Sequence, residues 1–344
     1  MITSNILAID LAKNVFQVCK RTAQGQIIFN REVSRNKLKE LLIKESVSLV
    51  SMEACSSSHY WARYAASQGH HVKVISARTV KPFRTKQNTD SNDAVAIATA
   101  AAQEHIHGTR ISTPDEQALQ SLERVRNLTV AQQTAQSNQI RGLLAEFGII
   151  IPQGLTHLRR HIPLVIEDAE NNLPSGFRAT LNTLWLHFLI QTEFVDTLNR
   201  QLEQEVKADT ACQKLMKLEG VGPIGALGLA VRLGKGDNFS CGREASASIG
   251  LTPKQHSSGG KERIGHISKC CADKRLCSTL YQGALAAITH IISRPPKTYK
   301  DKWLQSLVAR RGKKVVAIAL ANKTVRTAYA LLKNDTEYQS ILIA

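Results

Sequence analysis

Short apolar segments alternate with amphipathic segments over the first hundred residues of the chain. Residues 5–12 are apolar and bounded, which is typical of a buried strand, and residues 15–21 alternate apolar and polar side chains, which is typical of a half-buried one. The same criteria predict strands over 26–33, 47–54 and 71–76. Helical periodicity predicts helices over 36–45, 57–67 and 93–103. The predicted order is three strands, a helix, a strand, a helix, a strand and a helix.

This order matches the layout of the RNase-H-like fold, in which a three-stranded meander is followed by alternating helices and strands. We therefore expect an α/β domain over residues 1–112. In that layout the first and fourth strands are neighbours, so side chains at their carboxyl ends should lie close to each other.

The pattern changes after residue 113, where long helical stretches replace the strands. Pro114 followed by two acidic residues indicates a helix start, and the apolar periodicity then continues to Gly148. A second helical stretch covers about 176–207, and the intervening 149–174 is expected to be a loop. Two helices joined in this way predict a helical hairpin or coiled-coil arm over 113–208, acting either as a spacer or in oligomerisation. The remaining 209–344 is predicted to be a mostly α domain.

A Gly-x-Gly turn stands near the start of this third segment, at Gly220 and Gly222. Between two helices such a turn resembles the helix-hairpin-helix element, whose backbone amides can hold a phosphate. Glycine turns between helices are also common elsewhere, but both glycines are candidate nucleic-acid contacts.

The charge of the chain indicates a polyanionic partner. The 344 residues include 45 Lys and Arg against 28 Asp and Glu, a net charge of +17. The segment from Lys235 to Arg326 alone holds 18 basic and 5 acidic residues, and such a concentration favours nucleic acid. Aromatic residues make up only 5%, which argues against recognition dominated by base stacking.

Composition also narrows the class of protein. A hydrophobic fraction of 43% excludes a disordered basic tail. The longest apolar runs fall short of the roughly 18 residues that a membrane span needs, so no membrane partner is expected. The seven cysteines are an odd number, which predicts reduced thiols and a cytoplasmic protein.

Four acidic residues occupy positions that indicate a metal site. Asp10 lies in the first apolar strand and Glu53 ends the fourth, where a carboxylate is costly unless it is paired or metal-bound. Asp90 and Asp93 are three residues apart at a helix start and share one face. Oxygen ligands suit Mg²⁺, and two such ions can stabilise both oxygens of a phosphodiester transfer. Singly, Asp10 could be a strand-end residue and Asp90 a helix cap.

Two adjacent serines lie in a glycine-rich stretch flanked by cations. Ser257 and Ser258 precede two glycines, and the nearby basic residues are Lys254, Lys261 and Arg263. A serine in such surroundings could attack a phosphate, whereas a flexible linker or a phosphate cradle explains the same residues. A second basic cluster, also expected to contact nucleic acid, consists of Arg78, Lys81, Arg84 and Lys86.

The motifs around these residues resemble those of the DEDD transposases of bacterial insertion sequences, a family that includes the Piv-type DNA invertases and the bridge-RNA-guided recombinases. They follow the family's order from near residue 5 to past residue 275. They are Ile9-Asp10-Leu-Ala-Lys13, Met52-Glu53-Ala54, Asn88-Thr89-Asp90-Ser-Asn-Asp93-Ala94, Gly220-Val-Gly222, Gly250-Leu-Thr-Pro253 with Ser258-Gly259, and Ile267-Ser-Lys269. One departure is Ala-Cys-Ser-Ser after Glu53, where the family more commonly has Ala-Thr-Gly.

The resemblance implies a RuvC-like N-terminal domain, a coiled-coil insertion and a C-terminal transposase domain. It implies that the four carboxylates bind Mg²⁺ and that Ser258, or the adjacent Ser257, forms a phosphoserine link to DNA. It further implies that Lys269 contacts nucleic acid, that a structured guide RNA selects the double-stranded DNA sites, and that the protein acts as a dimer or tetramer.

Two other functions remain open at this point. A metal-dependent, structure-specific nuclease of the junction-resolvase type would use the same carboxylates with water as the nucleophile and would not need Ser258. A non-enzymatic nucleic-acid scaffold would need neither the serine nor the carboxylates.

Overall fold

The computed structural model describes residues 5–85, 87–267 and 273–343. The chain forms two compact units, Met1–Pro114 and Asp115–Ala344. The further division into an arm over 113–208 and a C-terminal domain over 209–344 stays a prediction. Lys86 and Lys269, two of the predicted nucleic-acid contacts, lie outside the described residues.

The strands of the first unit and three of its helices lie close to the predicted positions, whereas α3 and the 3-10 turn after it were not predicted and α4 begins at Asp90 instead of Asp93. The strands are β1 (Ile6–Asp10), β2 (Val15–Arg21), β3 (Ile27–Ser34), β4 (Leu49–Glu53) and β5 (His71–Ile75). The helices are α1 (Arg35–Lys44), α2 (Ser58–Ser67), α3 (Ala77–Val80) and α4 (Asp90–Ala101), and a 3-10 turn, Lys81–Phe83, follows α3.

The sheet is mixed, with the strand order β3-β2-β1-β4-β5. The first three strands are antiparallel neighbours, whereas β4 runs parallel to β1 and β5 runs parallel to β4. The expected pairing of the first and fourth strands is confirmed, because Ile9 lies beside Met52. The carboxyl ends of β1 and β4 therefore lie at the same edge of the sheet.

Helices cover both faces of this sheet, and the alternation of side chains along β1 assigns each face to its helices. Leu7 and Ile9 belong to an apolar core with residues of α1 and α2. Ile6 and Ala8 point the other way, into a core formed with α4. The inner face of α4 is rich in alanine, and such small side chains let a helix lie close to a sheet.

The second unit is mostly helical, with one β-hairpin. Its helices are α5 (Pro114–Ala145), α6 (Leu155–Glu167), α7 (Ser175–Ala208), α8 (Thr210–Met216), α9 (Pro223–Leu233), α10 (Gly242–Ile249), α11 (Lys274–Ile292), α12 (Tyr299–Arg311) and α13 (Lys313–Lys333). The hairpin strands are β6 (Pro253–Ser258) and β7 (Lys261–Ile267).

The expectation of a plain loop over 149–174 is wrong, because α6 lies within it. Pro163 stands inside this helix, where it removes a backbone hydrogen bond, and so it masks the helical pattern in the sequence. Leu158 and Ile162 are buried against residues of α5 and α7, and this apolar burial stabilises the helix in spite of the proline.

Helices α8 to α13 enclose one apolar core, in which α13 packs against α10, α11 and α12. By length and composition α13 could cross a membrane, although the apolar runs of the sequence predict no span. Half of its most apolar stretch is buried, and Val316, Leu320 and Val325 lie in the core. This burial is typical of the central helix of a soluble domain.

Candidate active site

Asp10 and Glu53 are the last residues of the neighbouring parallel strands β1 and β4. Asp10 alternates with Ile6 and Ala8 and therefore points to the face that α4 covers. Glu53 alternates with Leu49, which packs on the same side. The pairing of β1 with β4 thus brings together two carboxylates that are far apart in the sequence.

Asp90 and Asp93 lie in the first turn of α4, on the same side of the sheet. Thr89 caps this helix, because its hydroxyl accepts a hydrogen bond from the backbone N–H of Asn92 at 3.3 Å. The partial positive charge at a helix N-terminus favours carboxylates in the first turn. The four predicted acidic residues therefore come from two strand ends and one helix start.

A chain of amide side chains holds the first turn of α4 to the sheet, and sequence reasoning missed it. Gln17, which pairs with Asp10 across the strands and is buried, donates to Asn30 Oδ1 at 2.6 Å. Asn30 Nδ2 in turn donates to the backbone oxygen of Ser91 at 2.9 Å and to its Oγ at 2.8 Å. A buried glutamine in a strand is the signal that could have indicated this role.

The charges of the four carboxylates act on one another. Burial, followed by the charges of Asp93, Asp90 and Glu53, raises the pKa of Asp10 to about 6. Burial and the charge of Asp93 also raise the pKa of Glu53, and the positive charge of Arg84 offsets part of this rise. The four carboxylates therefore lie near enough to influence ionisation within the group, and we call them the acidic cluster.

Arg84 lies in this acidic cluster. Its Nη1 atom is 3.0 Å from Oδ1 of Asp93, and it also donates to the side-chain oxygen of Asn88. From the sequence, Arg84 is expected to contact nucleic acid with the other members of its basic cluster. Its ion pair with Asp93, nine residues later, has no signal in the sequence.

The chemistry of the donors fits a hard divalent cation, because all four are carboxylates whose mutual repulsion a positive ion would relieve. Within 5–85, 87–267 and 273–343, however, no three His, Cys, Asp or Glu side chains lie close enough together to hold an ion. The residues fit a metal in kind and in charge, and coordination would require their side chains to move closer together.

The predicted serine loop is a β-hairpin in the structure. Strands β6 and β7 pair with each other, and Ser258 lies opposite Lys261 across a two-residue turn. Gly259 and Gly260 form the turn with φ angles of +57° and +73°. Because side chains rarely adopt such angles and a turn of this hand matches the twist of paired strands, the two glycines specify a hairpin instead of a flexible linker.

The register of this hairpin separates the two serines. Ser258 shares one face with Lys261, His256 and Arg263, because His256 pairs with Arg263 and side chains alternate along a strand. Ser257 lies on the opposite face beside Glu262. On that face it accepts a hydrogen bond from Gln255 Nε2 at 3.1 Å. Only Ser258 therefore has a cationic face around it.

The other predicted nucleic-acid contacts differ in their surroundings. Arg78 and Lys81 are exposed on α3 and the 3-10 turn, and Lys254 is exposed on β6. Gly220 has a φ of +77°, and its backbone closely approaches that of Gly283 in α11. Gly222 stands at the open N-terminus of α9, where an added Cβ would meet no atom within 4 Å. Packing explains Gly220, and a phosphate contact at Gly222 stays a prediction.

Comparisons with known proteins agree with this arrangement. A DEDD transposase family model matches residues 7–149, and the model of the transposase IS116/IS110/IS902 family matches residues 212–300. A "Probable family 20 transposase" of Pseudomonas aeruginosa is 36% identical over 97% of this chain and 98% of its own length. The transposase for insertion sequence element IS1111A of Coxiella burnetii is 34% identical over 97% of this chain and 91% of its own.

The transposase for IS1328 of Yersinia enterocolitica is 33% identical over 97% of this chain and 98% of its own. The similarity to these proteins therefore spans almost the whole chain in each case. These relatives are named transposases, so they do not support the hypothesis of a non-enzymatic nucleic-acid scaffold. The chain belongs to the IS110/IS116 family of insertion-sequence transposases, which are DNA-processing enzymes.

Proposed function

We propose that this transposase cuts and rejoins double-stranded DNA through a covalent link to Ser258. The observation that carries the proposal is the hairpin register, which gives Ser258 a face shared with Lys261 and Arg263 and gives Ser257 a face shared with Glu262. A phosphodiester is anionic and gains further negative charge during substitution, so a nucleophile among cations is favoured over one beside a carboxylate.

In the proposed step, Oγ of Ser258 loses its proton and forms a bond to a DNA phosphorus. The bond from that phosphorus to one neighbouring deoxyribose oxygen breaks, and this oxygen takes up a proton and leaves as a free hydroxyl. Lys261 and Arg263 stabilise the charge on the phosphate oxygens. Attack by the hydroxyl of another DNA end reverses the step and restores the serine, and it needs no ATP because the phosphodiester energy is retained.

We assign the carboxylate cluster the role of binding Mg²⁺. Asp10, Glu53, Asp90 and Asp93 would hold the ion, and the bound ion would supply electrostatic stabilisation to the phosphate. The strand order and the positions of these carboxylates support an RNase-H-like, RuvC-like fold for the first unit.

The serine assignment predicts different results for two neighbouring substitutions. Ser258→Ala should abolish covalent protein–DNA adducts, measured on denaturing gels with end-labelled element DNA, because no nucleophilic oxygen remains on the cationic face. Ser257→Ala is the matched control and should retain them. DNA binding, measured by fluorescence anisotropy, should persist in both variants.

Cleavage without an adduct in Ser258→Ala would support the metal-dependent nuclease, which uses water as the nucleophile and which the carboxylate cluster alone also favours. Loss of the adduct in Ser257→Ala, with the adduct retained in Ser258→Ala, would move the nucleophile by one residue. Either result would contradict the role proposed for Ser258.

We also propose that a structured guide RNA selects the DNA sites, on the basis of the family resemblance and of a basic chain with few aromatic residues. In such a system base pairing reads the sequence and the protein contacts the backbone. Recovery of a discrete RNA with the purified protein would support this role. If the protein still selects the same DNA sites after treatment with RNase, this role is contradicted. We place the protein in the cytoplasm, where the reduced state of its described cysteines is stable.

A homo-oligomer, dimer or tetramer, is proposed from an exposed apolar stripe on α7. Leu186, Ile190 and Phe194 recur at four-residue intervals and are 53%, 67% and 48% exposed, and Leu189 lies beside them. An apolar stripe on a long helix favours packing against an equivalent helix of a second copy.

A further inference from the structure

We propose that Arg84 is an internal counter-ion of the carboxylate cluster, which holds Asp93 in the metal-free protein and must release it when a divalent cation binds. This inference rests on the proposed metal-binding role of the cluster. It assigns Arg84 a positioning role, in place of the general nucleic-acid contact that the sequence indicated.

Arg84 makes two side-chain contacts in the acidic cluster. Its Nη1 lies 3.0 Å from Asp93 Oδ1, and the same nitrogen also donates to the side-chain oxygen of Asn88. Both side chains of the ion pair are 28% exposed, so bulk water screens the pair only in part. The pair is therefore a defined contact of the site and differs from the exposed Lys81 nearby.

The negative charges near Arg84 belong to the acidic cluster. Asp93 shares the first turn of α4 with Asp90 and lies on the side of the sheet to which Asp10 and Glu53 point, so its charge adds to the mutual repulsion of the four carboxylates. A guanidinium stays charged at every pH at which proteins fold, so Arg84 offsets this repulsion permanently. The backbone N–H of Arg84 donates to the carbonyl of Lys81 at 3.2 Å, and this bond fixes the main chain from which the guanidinium extends.

The consequence is a competition for one carboxylate. A divalent cation that binds Asp93 must displace the guanidinium. Breaking the ion pair costs free energy, and metal binding is weaker by that amount. Removal of the Arg84 charge should therefore tighten metal binding. It should also leave the metal-free cluster with more repulsion, and this should lower the melting temperature of the metal-free protein.

The test is calorimetric titration of the full-length protein with MnCl₂ in the absence of DNA. Arg84→Gln should bind Mn²⁺ about threefold to tenfold more tightly than the unsubstituted protein. Arg84→Lys, which keeps the charge, should stay closer to the unsubstituted protein. Lys81→Gln removes an equal charge from an exposed neighbour and should leave the affinity unchanged.

A second variant keeps the test decisive if Arg84→Gln does not fold. Asn88→Ala removes the other anchor of the guanidinium and should tighten Mn²⁺ binding in the same direction by a smaller factor. Equal or weaker binding in the folded variants would overturn the role of Arg84 alone. If Asp93→Asn binds Mn²⁺ as the unsubstituted protein does, the ion does not use this cluster, and both this inference and the proposed metal site fail.

Discussion

At the scale of single residues, the ionised side chain of Asp10 lowers the stability of the fold that holds it. Burial and three neighbouring carboxylates raise its pKa to about 6 from an ordinary 3.8. Below about pH 4 the side chain is neutral in both the folded and the unfolded protein. Above about pH 6 it is ionised in both, and the folded protein then bears the cost of a buried, repelled charge.

Asp10→Asn should therefore stabilise the metal-free protein at pH 7.5, by about 1 to 2 kcal/mol in the free energy of unfolding, since solvent screens part of the effect at this partly buried side chain. The gain should shrink as the pH falls below about 6 and should vanish below about pH 4, because the aspartate is then protonated in the unfolded chain as well as in the fold. Urea unfolding at a series of pH values measures this difference. The same variant should lose DNA cleavage, since an amide cannot replace a carboxylate as a metal ligand.

The matched control is Glu40→Gln on the exposed side of α1, which removes a carboxylate away from the acidic cluster. It should change the free energy of unfolding little at any of these pH values. A gain for Asp10→Asn that is as large at pH 4 as at pH 7.5 would show that charge repulsion is not its source.

At the scale of elements, a pair of glycines determines how α11 meets the turn before α9. Gly220 and Gly283 approach each other through their backbones, so that a Cβ on either residue would collide with the main chain of the other. Glycine is thus required here for contact distance as well as for the positive φ of Gly220.

Gly283→Ala should lower the free energy of unfolding of the second unit by about 2 to 3 kcal/mol, because neither backbone can move away without disturbing its helix. Gly142→Ala is the matched control. Gly142 lies in α5 with open space around it, and alanine there should stabilise the helix by about 0.5 to 1 kcal/mol. Thermal unfolding followed by circular dichroism compares the two, and a similar effect for both would refute the role of the close contact.

The strands of the first unit and the helices α1, α2 and α4 were predictable because each bears its own local pattern, whereas the four-residue α3 was not predicted. The alternation in 15–21 and the alanines of α4 agree with the structure. Two features depend on tertiary contacts and have no local signal. These are α6, whose helical pattern Pro163 interrupts, and the pairing of Arg84 with Asp93. The hairpin register that separates Ser257 from Ser258 likewise follows from the turn at Gly259 and Gly260. Glycine permits several backbone conformations, so the sequence alone does not determine the positive φ angles of this turn.

At the scale of the whole molecule, the exposed side of α7 bears on assembly. Ile190→Glu places a charge in the centre of its apolar stripe and should shift the protein toward monomers by at least tenfold in the dissociation constant, because a carboxylate cannot be buried there without a partner. Analytical ultracentrifugation measures the change.

Gln201→Glu adds the same charge on the exposed surface of α7 beyond the stripe and should leave the assembly intact. Equal oligomeric states in both variants would exclude the stripe as the interface. Circular dichroism spectra should be unchanged in either variant, since neither side chain lies in the core.

The four carboxylates lie on three separate elements, β1, β4 and α4. This separation determines the stage of folding at which the acidic cluster can form. No local segment holds more than two of them, so the acidic cluster forms only after β4 has paired with β1 and α4 has packed on the sheet. During synthesis, a chain that has not yet emerged past α4 has no complete cluster. Under the proposed mechanism, a newly made chain could therefore link to DNA only after this cluster has formed and the later hairpin that holds Ser258 has been made as well.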